Sequence, residues 1–391
     1  MNGGSCAAGP STKALAAYFL GLGAIGFGGP AALADRIQRD LVERRGWMTP
    51  REYELGLTIA AACPGPLAYQ LAIYCGYVRH GVPGAFVVAL TFALVPFVVV
   101  AAIAATYEHW STSAVARGLF HGAGPVVVAL IARACWSLGR KTLHRAPLAW
   151  AVCAAGAIVT SATGREPLWL FVLAGGACAL LLRPSGPSGR AAIEPPPRED
   201  SSGSRLLPAM FPLAAVAGTS TSWSLFGFFF KTGCLVFGSG LVIVPFLRGT
   251  VVESYHWLTV QEFLDAVTIG LVTPGPVVIT ATFVGYVVGR LPGAIAATVG
   301  MFLPAVLFTL AAAPWFGRHR NSPGLTGFVR GITAAVVGVL AGTVPLIAAS
   351  AVTDPAAAAI LAAALAAMVL TRLPDAVVVA LGAAAGVALA V

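Results

Sequence analysis

The chain has 391 residues, 58% of them hydrophobic and only 10% charged, with a mean hydropathy of +0.85. Soluble domains carry about 25% charged residues, so this composition excludes an ordinary soluble globular domain and predicts a protein embedded in a lipid bilayer. The formal net charge of +9 comes largely from basic residues in short loops. We attribute this charge to membrane orientation by the positive-inside rule and expect no nucleic-acid partner.

Uncharged apolar runs predict the membrane helices of an all-α polytopic membrane protein. In chain order, the runs of the first half are Ala14–Ala34, Leu55–Val78, Pro83–Tyr107, Gly118–Ala132, Ala146–Gly164 and Pro167–Leu182. Those of the second half are Leu206–Phe230, Thr232–Leu247, Ala266–Gly289, Leu291–Gly317, Gly331–Thr353, Pro355–Thr371 and Ala376–Val391. Most of them reach the roughly 20 residues that a spanning helix needs.

A linker rich in Pro, Ser, Gly and charged residues separates the two groups of runs. It covers residues 183–205 and contains three consecutive prolines at 195–197. This composition is typical of a connector without a packed core. We therefore predict an N-terminal membrane repeat over residues 1–182 and a C-terminal membrane repeat over residues 206–391.

The two halves contain the same motifs in the same order and at the same spacing. Phe27, Gly28, Gly29 and Pro30 correspond to Phe237, Gly238, Ser239 and Gly240, and Cys63, Pro64, Gly65 and Pro66 correspond to Thr273, Pro274, Gly275 and Pro276. Between these motifs, Trp47, Thr49 and Glu52 recur as Trp257, Thr259 and Glu262. Identities between the two segments exceed chance by far, so the chain contains an internal duplication.

Loop charge indicates that the two halves insert with opposite orientations. The Arg36–Arg51 stretch contains five arginines, whereas the equivalent Phe246–Gln261 stretch contains only Arg248. Opposite basic bias in equivalent loops predicts inverted-topology repeats, which need an odd number of crossings per half. If the run with the Pro-Gly-Pro (PGP) motif crosses once, the basic loop Arg140–Arg145 falls outside. We favour re-entrant PGP elements and about ten crossings in total.

The Gly- and Pro-rich motifs predict broken helices, which in paired repeats point to a transporter-like binding site. Inside a membrane, non-helical backbone persists only where it is buried in protein or lines a wet cavity. Pro30 and Pro66 can each begin a helix whose free amide groups point back toward the glycines. Helix starts carry unpaired N–H groups and about half a positive charge, which suits an anion. Kinks that serve only helix packing are the alternative.

Two basic residues lie inside or beside apolar runs. Lys231 lies six residues before Phe237 in an apolar run, and an intramembrane charge is a functional hypothesis by default. We include it among the predicted binding residues, with snorkelling of the side chain to the interface as the alternative. Arg133 lies nearer the end of its run, where snorkelling explains it at least as well.

Acidic residues near the PGP helices divide into two kinds. The matched Thr-x-x-Glu segments at 49–52 and 259–262 have capping-box spacing, and we assign their glutamates to helix capping. Glu54 and Asp265 are left without an evident partner. If protons are coupled to transport, these two carboxylates are the candidates for the coupling.

No grouping in the sequence indicates an enzyme. The six histidines are dispersed, no phosphate-binding loop is present, and the seven cysteines have neither metal-ligand nor redox spacing. We therefore predict no catalytic residue, no metal site and no cofactor.

The chain resembles the chromate ion transporter (CHR) family in its long two-domain form. The matching residues of the first half are Phe27–Pro30, Arg45–Trp47, Pro64–Pro66, Gln70–Ala72 and Gly76–Tyr77. Those of the second half are Phe237–Gly240, Pro274–Thr280 and Gly285–Tyr286. The resemblance covers both halves and adds Gln70 and Thr280 to the predicted binding residues. It implies a multi-pass protein of the bacterial inner membrane that exports chromate, driven by the proton motive force.

One departure from the family pattern leaves the anion open. Some members carry His or Gln at the position of Leu33, so this chain lacks one polar contact, and sulfate has the same tetrahedral dianionic shape as chromate. An importer of sulfate or another oxyanion is one alternative, because coupling stoichiometry and not the sequence sets the direction of transport. An anion channel is another, since it would use the same helix ends without alternating access. The sequence assigns no oligomeric state.

Overall fold

The computed structural model describes residues 9–26, 29–143, 147–164, 168–181, 220–237, 240–319, 323–371 and 373–390. Every regular element in these ranges is a helix, which confirms the predicted all-α class. The predicted linker at 183–205 lies outside the described residues.

The helices of the two halves follow the same order. In the first half they are α1 (Thr12–Ile25), α2 (Gly29–Ile37), α3 (Pro50–Ala62), α4 (Leu67–Trp110), α5 (Ala114–Thr142), α6 (Pro147–Thr163) and α7 (Leu168–Leu181), with a π-helical segment at Gln38–Arg44. In the second half they are α8 (Ser220–Gly233), α9 (Ile243–Phe246), α10 (Val260–Val272), α11 (Thr280–His319), α12 (Pro323–Ala351), α13 (Pro355–Leu370) and α14 (Asp375–Ala390). This half also has 3-10 turns at Gly240–Val242 and Val277–Ile279 and a π-helical segment at Leu247–Ser254.

Equivalent helices match in length and in the way they begin. Helices α3 and α10 both have 13 residues, and α5 and α12 both have 29. A capping box opens α3 and α10, and in each the glutamate oxygen accepts a 2.7 Å hydrogen bond from the threonine amide. The assignment of Glu52 and Glu262 to helix capping is therefore confirmed.

Helices α4 and α11 bend at equivalent positions. His80 and Gly81 have φ/ψ of −136°/21° and 62°/−152°, and Gly289 and Arg290 have −137°/20° and 54°/−151°. Because these dihedral angles agree within 8°, the duplication extends beyond the PGP motifs. The bend in α4 separates a short first segment, residues 67–79, from the long remainder.

Each half contains a helical hairpin with the PGP motif at its tip. In the first hairpin, α3 runs antiparallel to residues 67–79, so that a Cβ atom at Gly56 would lie 2.4 Å from Cδ1 of Tyr74. Glu52 and Arg79 form a salt bridge at the end of this hairpin that is remote from the tip. In the second hairpin, Gly270 of α10 packs on Thr280 of α11 in the same way.

Helix lengths show which elements can cross a membrane. Within the described residues, four helical stretches are long and apolar enough to do so, namely Leu67–Trp110, Ala114–Thr142, Val277–Pro314 and Gly327–Ala351. Shorter apolar helices occur at Thr12–Ile25, Pro147–Thr163, Trp169–Leu181, Pro355–Leu370 and Asp375–Leu389. The 13-residue helices α3 and α10 are about 20 Å long, less than the roughly 30 Å thickness of a bilayer core.

Several of the predicted runs have the wrong limits. The run Ala14–Ala34 is divided, because α1 ends at Ile25 and α2 begins at Gly29, and its counterpart Thr232–Leu247 is divided between the end of α8 at Gly233 and the short helix α9. The runs Leu55–Val78 and Ala266–Gly289 are both divided at a PGP motif. Helix α5 continues past the predicted end at Ala132. The charge of Arg133 at that point does not end the helix, since its guanidinium pairs with Asp375.

The two halves interlock through α5 and α12. Helix α5 packs against α13 and α14 of the second half, and α12 packs against α6 and α7 of the first. Small residues bring these backbones together: a Cβ atom at Gly122 would lie 2.1 Å from the carbonyl oxygen of Gly382, and one at Gly338 would lie 2.2 Å from that of Cys153. Close approach through glycine is the usual way for helices to associate in a membrane.

Candidate functional site

The two hairpin tips have the backbone conformation that the PGP motif predicts. Gly65 has a φ of +140° and Gly275 a φ of +104°, a region that strains any residue with a Cβ atom. Pro66 and Pro276 follow as the residues before the next helical elements, and no side chain caps either start. The predicted helix starts are therefore present, with amide groups that side chains leave uncapped.

Each tip is tied to the break between the first helices of the other half. The amide of Gly65 donates a 2.6 Å hydrogen bond to the carbonyl oxygen of Val236, and the amide of Gly275 donates a 3.0 Å bond to that of Gly26. Val236 and Gly26 are equivalent residues, each directly before a Phe-Gly motif. The duplicated breaks therefore meet in one place, as a reciprocal pair.

A cavity lies at this junction. Its lining includes Gly26, Leu33, Pro66, Gly240, Thr273, Pro276 and Asp375. The starts of α4, of the 3-10 turn at Gly240–Val242 and of the turn at Val277–Ile279 all border it. Helix starts from both halves thus border one cavity, which is an arrangement suited to an anion.

Buried polar side chains brace the tips. Gln70 is fully buried, and its Nε2 donates a 2.8 Å hydrogen bond to the carbonyl oxygen of Pro64 at the first tip. Its Oε1 has no hydrogen-bond partner among the described residues. Thr280 is equally buried and donates to the carbonyl oxygen of Val277, and Thr273 donates to that of Ile269, both at 2.8 Å.

The Phe-Gly motifs are described in part. Phe27, Gly28, Gly238 and Ser239 lie outside the described residues. Gly29 and Pro30 open α2, as the motif predicts, and Gly240 opens a 3-10 turn on the cavity. Leu33, the residue that departs from the family pattern, lies one turn farther along α2 and also lines the cavity.

Two predicted charged residues lie away from the cavity. Lys231 is exposed in the last turn of α8, and Glu54 is exposed on α3. Neither residue is part of the cavity lining. The structure does not bring them together with the PGP tips.

Asp265 is a buried carboxylate with two partners, so the expectation that it lacks a partner is wrong. Only 2% of the residue is exposed. The hydroxyl of Tyr107 donates a 2.5 Å hydrogen bond to Oδ2, and Nε2 of Gln261 donates a 2.8 Å bond to Oδ1. Tyr107 belongs to α4, so this contact joins the first half to the second hairpin. Residue spacing along a single helix does not predict it.

An ion pair at the edge of the cavity was missed by sequence reasoning. Nη1 of Arg133 in α5 lies 3.1 Å from Oδ1 of Asp375, the first residue of α14, and Asp375 lines the cavity. Both residues interrupt apolar stretches, which is a signal in the sequence. Only the packing of α5 against α14 shows that they are partners.

Comparison with known proteins identifies a family that covers both halves of the chain. The sequence profile described as "Chromate transporter" matches residues 13–180 and 223–387, which cover both halves. No solved structure gives a significant match.

Curated relatives align over most of the chain. A "Probable chromate transport protein" of Synechococcus elongatus is 41% identical over 88% of this chain and 86% of its own length. A "Chromate transport protein" of Cupriavidus metallidurans is 41% identical over 88% of this chain and 84% of its own. One of Pseudomonas aeruginosa is 31% identical over 84% and 79%. With helix starts around a shared cavity and a profile that matches both halves, this chain belongs to the chromate transporter family.

Proposed function

We propose that this protein is a secondary active transporter of the bacterial inner membrane that exports chromate from the cytoplasm, driven by the proton motive force. The observation that carries the proposal is the cavity between the two PGP tips, where helix starts from both halves converge. The named chromate transport proteins among its relatives support the choice of anion.

The cavity chemistry supports a doubly charged oxyanion. A tetrahedral dianion needs several hydrogen-bond donors directed at its oxygens, and backbone amides at helix starts supply them without a buried lysine. Sulfate offers the same shape and charge and is the second candidate substrate. Competition between the two anions therefore measures how far the cavity distinguishes them.

The reciprocal contacts support transport by alternating access. If the hairpins enter from opposite membrane faces as re-entrant elements of inverted repeats, each half has five crossings and the tips meet near the midplane. The bonds from Gly65 to Val236 and from Gly275 to Gly26 then close the path between the faces. Rocking of one half against the other would break one bond of the pair while the other holds.

Proton coupling is best supported at Asp265. Its carboxylate is buried, and it contacts Tyr107 at the junction of the second hairpin with α4. A buried carboxylate is costly while ionised, so uptake of a proton changes the energy of this junction. Glu54 is exposed, so a change in its charge has a smaller effect on the energy of the fold.

Uptake of radiolabelled chromate into everted, energised membrane vesicles tests the export proposal. We expect accumulation that a protonophore abolishes and that sulfate reduces by competition. An anion channel would equilibrate chromate without accumulating it. Verified insertion without energised accumulation would refute secondary active export.

A further inference from the structure

The cavity contains a charge of the wrong sign for an anion. Among the described residues that line it, Asp375 is the only charged one. A carboxylate beside an anion cavity repels the substrate unless a cation neutralises it. Arg133 is that cation, with Nη1 at 3.1 Å from Oδ1 of Asp375.

We propose that Arg133 is a substrate-binding residue at the edge of the cavity, and that Asp375 controls its availability by competing with the anion for the guanidinium group. This inference rests on the proposed function for the identity of the anion. A guanidinium has five N–H donors in a planar fork that fits the paired oxygens of a carboxylate and of a tetrahedral oxyanion alike. The carboxylate of Asp375 therefore occupies the position on the guanidinium of Arg133 that the oxygens of the substrate would take.

The position of the pair supports exchange with substrate. The side chain of Arg133 is 46% exposed and that of Asp375 is 30% exposed, so protein encloses neither partner, and Asp375 itself lines the cavity. Asp375 opens α14, whose helix start stabilises the carboxylate after the arginine has turned to the anion. After its release from Arg133, Asp375 therefore still interacts favourably with the start of α14.

Helix α5 packs on α14 through contacts other than the ion pair. A Cβ atom at Gly122 would lie within 3 Å of backbone atoms of Gly382 and Gly386, so glycine contacts already hold the two helices together. These glycine contacts do not involve the ion pair, which is therefore available to exchange with substrate.

Opposite effects of the two single substitutions provide the test. Binding of chromate and of sulfate is measured on the purified full chain in lipid nanodiscs, alongside chromate uptake in vesicles. Arg133→Ala leaves Asp375 unpaired and should raise the Kd for either anion by about tenfold or more, whereas Asp375→Asn frees the arginine and should lower it about threefold. The double variant should bind better than Arg133→Ala, because the repulsion is gone.

Two substitutions serve as matched controls. Arg140→Ala removes the same charge from an exposed position farther along α5. Asp354→Asn removes an acid that also stands at a helix start and pairs with a residue of α5, His121 at 2.9 Å, away from the cavity. Both controls should leave the Kd within about twofold of the wild-type value.

The outcomes separate this inference from the export proposal. Shifts of the same sign for Arg133→Ala and Asp375→Asn, no shift in either, or no binding of either anion to the wild type would overturn the competition. Anion binding with opposite shifts, but without energised uptake, would uphold the competition and refute export.

Discussion

Gly65 and Gly275 are positions where a single methyl group would alter the cavity. Both have positive φ angles. A Cβ atom at Gly65 would lie 2.7 Å from that of Ala305, and one at Gly275 would lie 2.6 Å from Cγ of Pro96. Ala305 and Pro96 occupy equivalent places in α11 and α4, so each tip fits against the long helix of the other half.

Gly65→Ala and Gly275→Ala should each reduce the initial rate of chromate uptake by on the order of tenfold, since the strained dihedral costs about 1–3 kcal/mol in addition to the clash. The measurement is uptake in energised vesicles, normalised to the inserted protein. Gly227→Ala is the control, because a Cβ atom there meets nothing within 4 Å. Equal rates for Gly65→Ala and Gly227→Ala would contradict the role of the tip.

Asp265→Asn should abolish protonophore-sensitive accumulation and leave exchange of chromate for chromate in place. The amide keeps the shape of the side chain but cannot take up a proton, so coupling is lost while binding persists. Parallel measurements of counterflow and of energised uptake separate the two effects. Glu54→Gln should keep both; if it loses coupling and Asp265→Asn does not, Glu54 is the coupling residue.

At the scale of elements, the hairpins depend on their ends as well as on their tips. Glu52 closes the capping box of α3 and also pairs with Arg79 of α4, and both side chains are less than a quarter exposed. The equivalent Glu262 has the capping box. The salt bridge between Glu52 and Arg79 thus joins the start of α3 to the end of the first segment of α4.

Arg79→Ala should destabilise the first hairpin by about 1–3 kcal/mol, because it removes a charged hydrogen-bond donor from Glu52. Thermal unfolding of the purified protein in detergent measures this effect as a lower Tm. Arg44→Ala is the control, since Arg44 is 77% exposed in its pair with Asp40. A Tm that falls equally in both variants would count against a special role for the Arg79 pair.

At the scale of the whole molecule, the two halves are held together by α5 and α12. Each of these 29-residue helices packs against helices of the other half. Helix α5 fits against α14 through Gly122, Gly382 and Gly386, and α12 fits against α6 through Gly338. Bulky residues at these crossings would separate the helices. Helices α5 and α12 therefore pack mainly on helices of the other half.

Gly122→Leu should therefore reduce the yield of folded protein severely, as a single symmetrical peak in size-exclusion chromatography would report. Gly176→Leu, at a position where a Cβ atom meets nothing within 4 Å, should keep that peak.

Co-expression of residues 1–182 and 206–391 as separate chains should restore chromate uptake that neither chain provides alone. Uptake by one half alone would contradict the interlocked arrangement.

The sequence by itself determined the features that depend on neighbours along the chain. The helical class follows from apolar runs, the capping boxes at Thr49 and Thr259 from residues three positions apart, and the tips at Gly65 and Gly275 from glycine between prolines. The duplication was readable because both copies kept these local requirements. Such interactions span one helical turn or less, so the pattern contains them.

Only the tertiary structure decided which distant residues meet. The bonds between each tip and the opposite half, the Tyr107–Asp265 contact and the Arg133–Asp375 pair all join residues from different halves. No local pattern encodes them, because in an apolar chain any polar group can find its partner across a helix interface. The packing of helices through small residues selects one set of partners, and residues of the tip bonds and of the Arg133–Asp375 pair line the cavity.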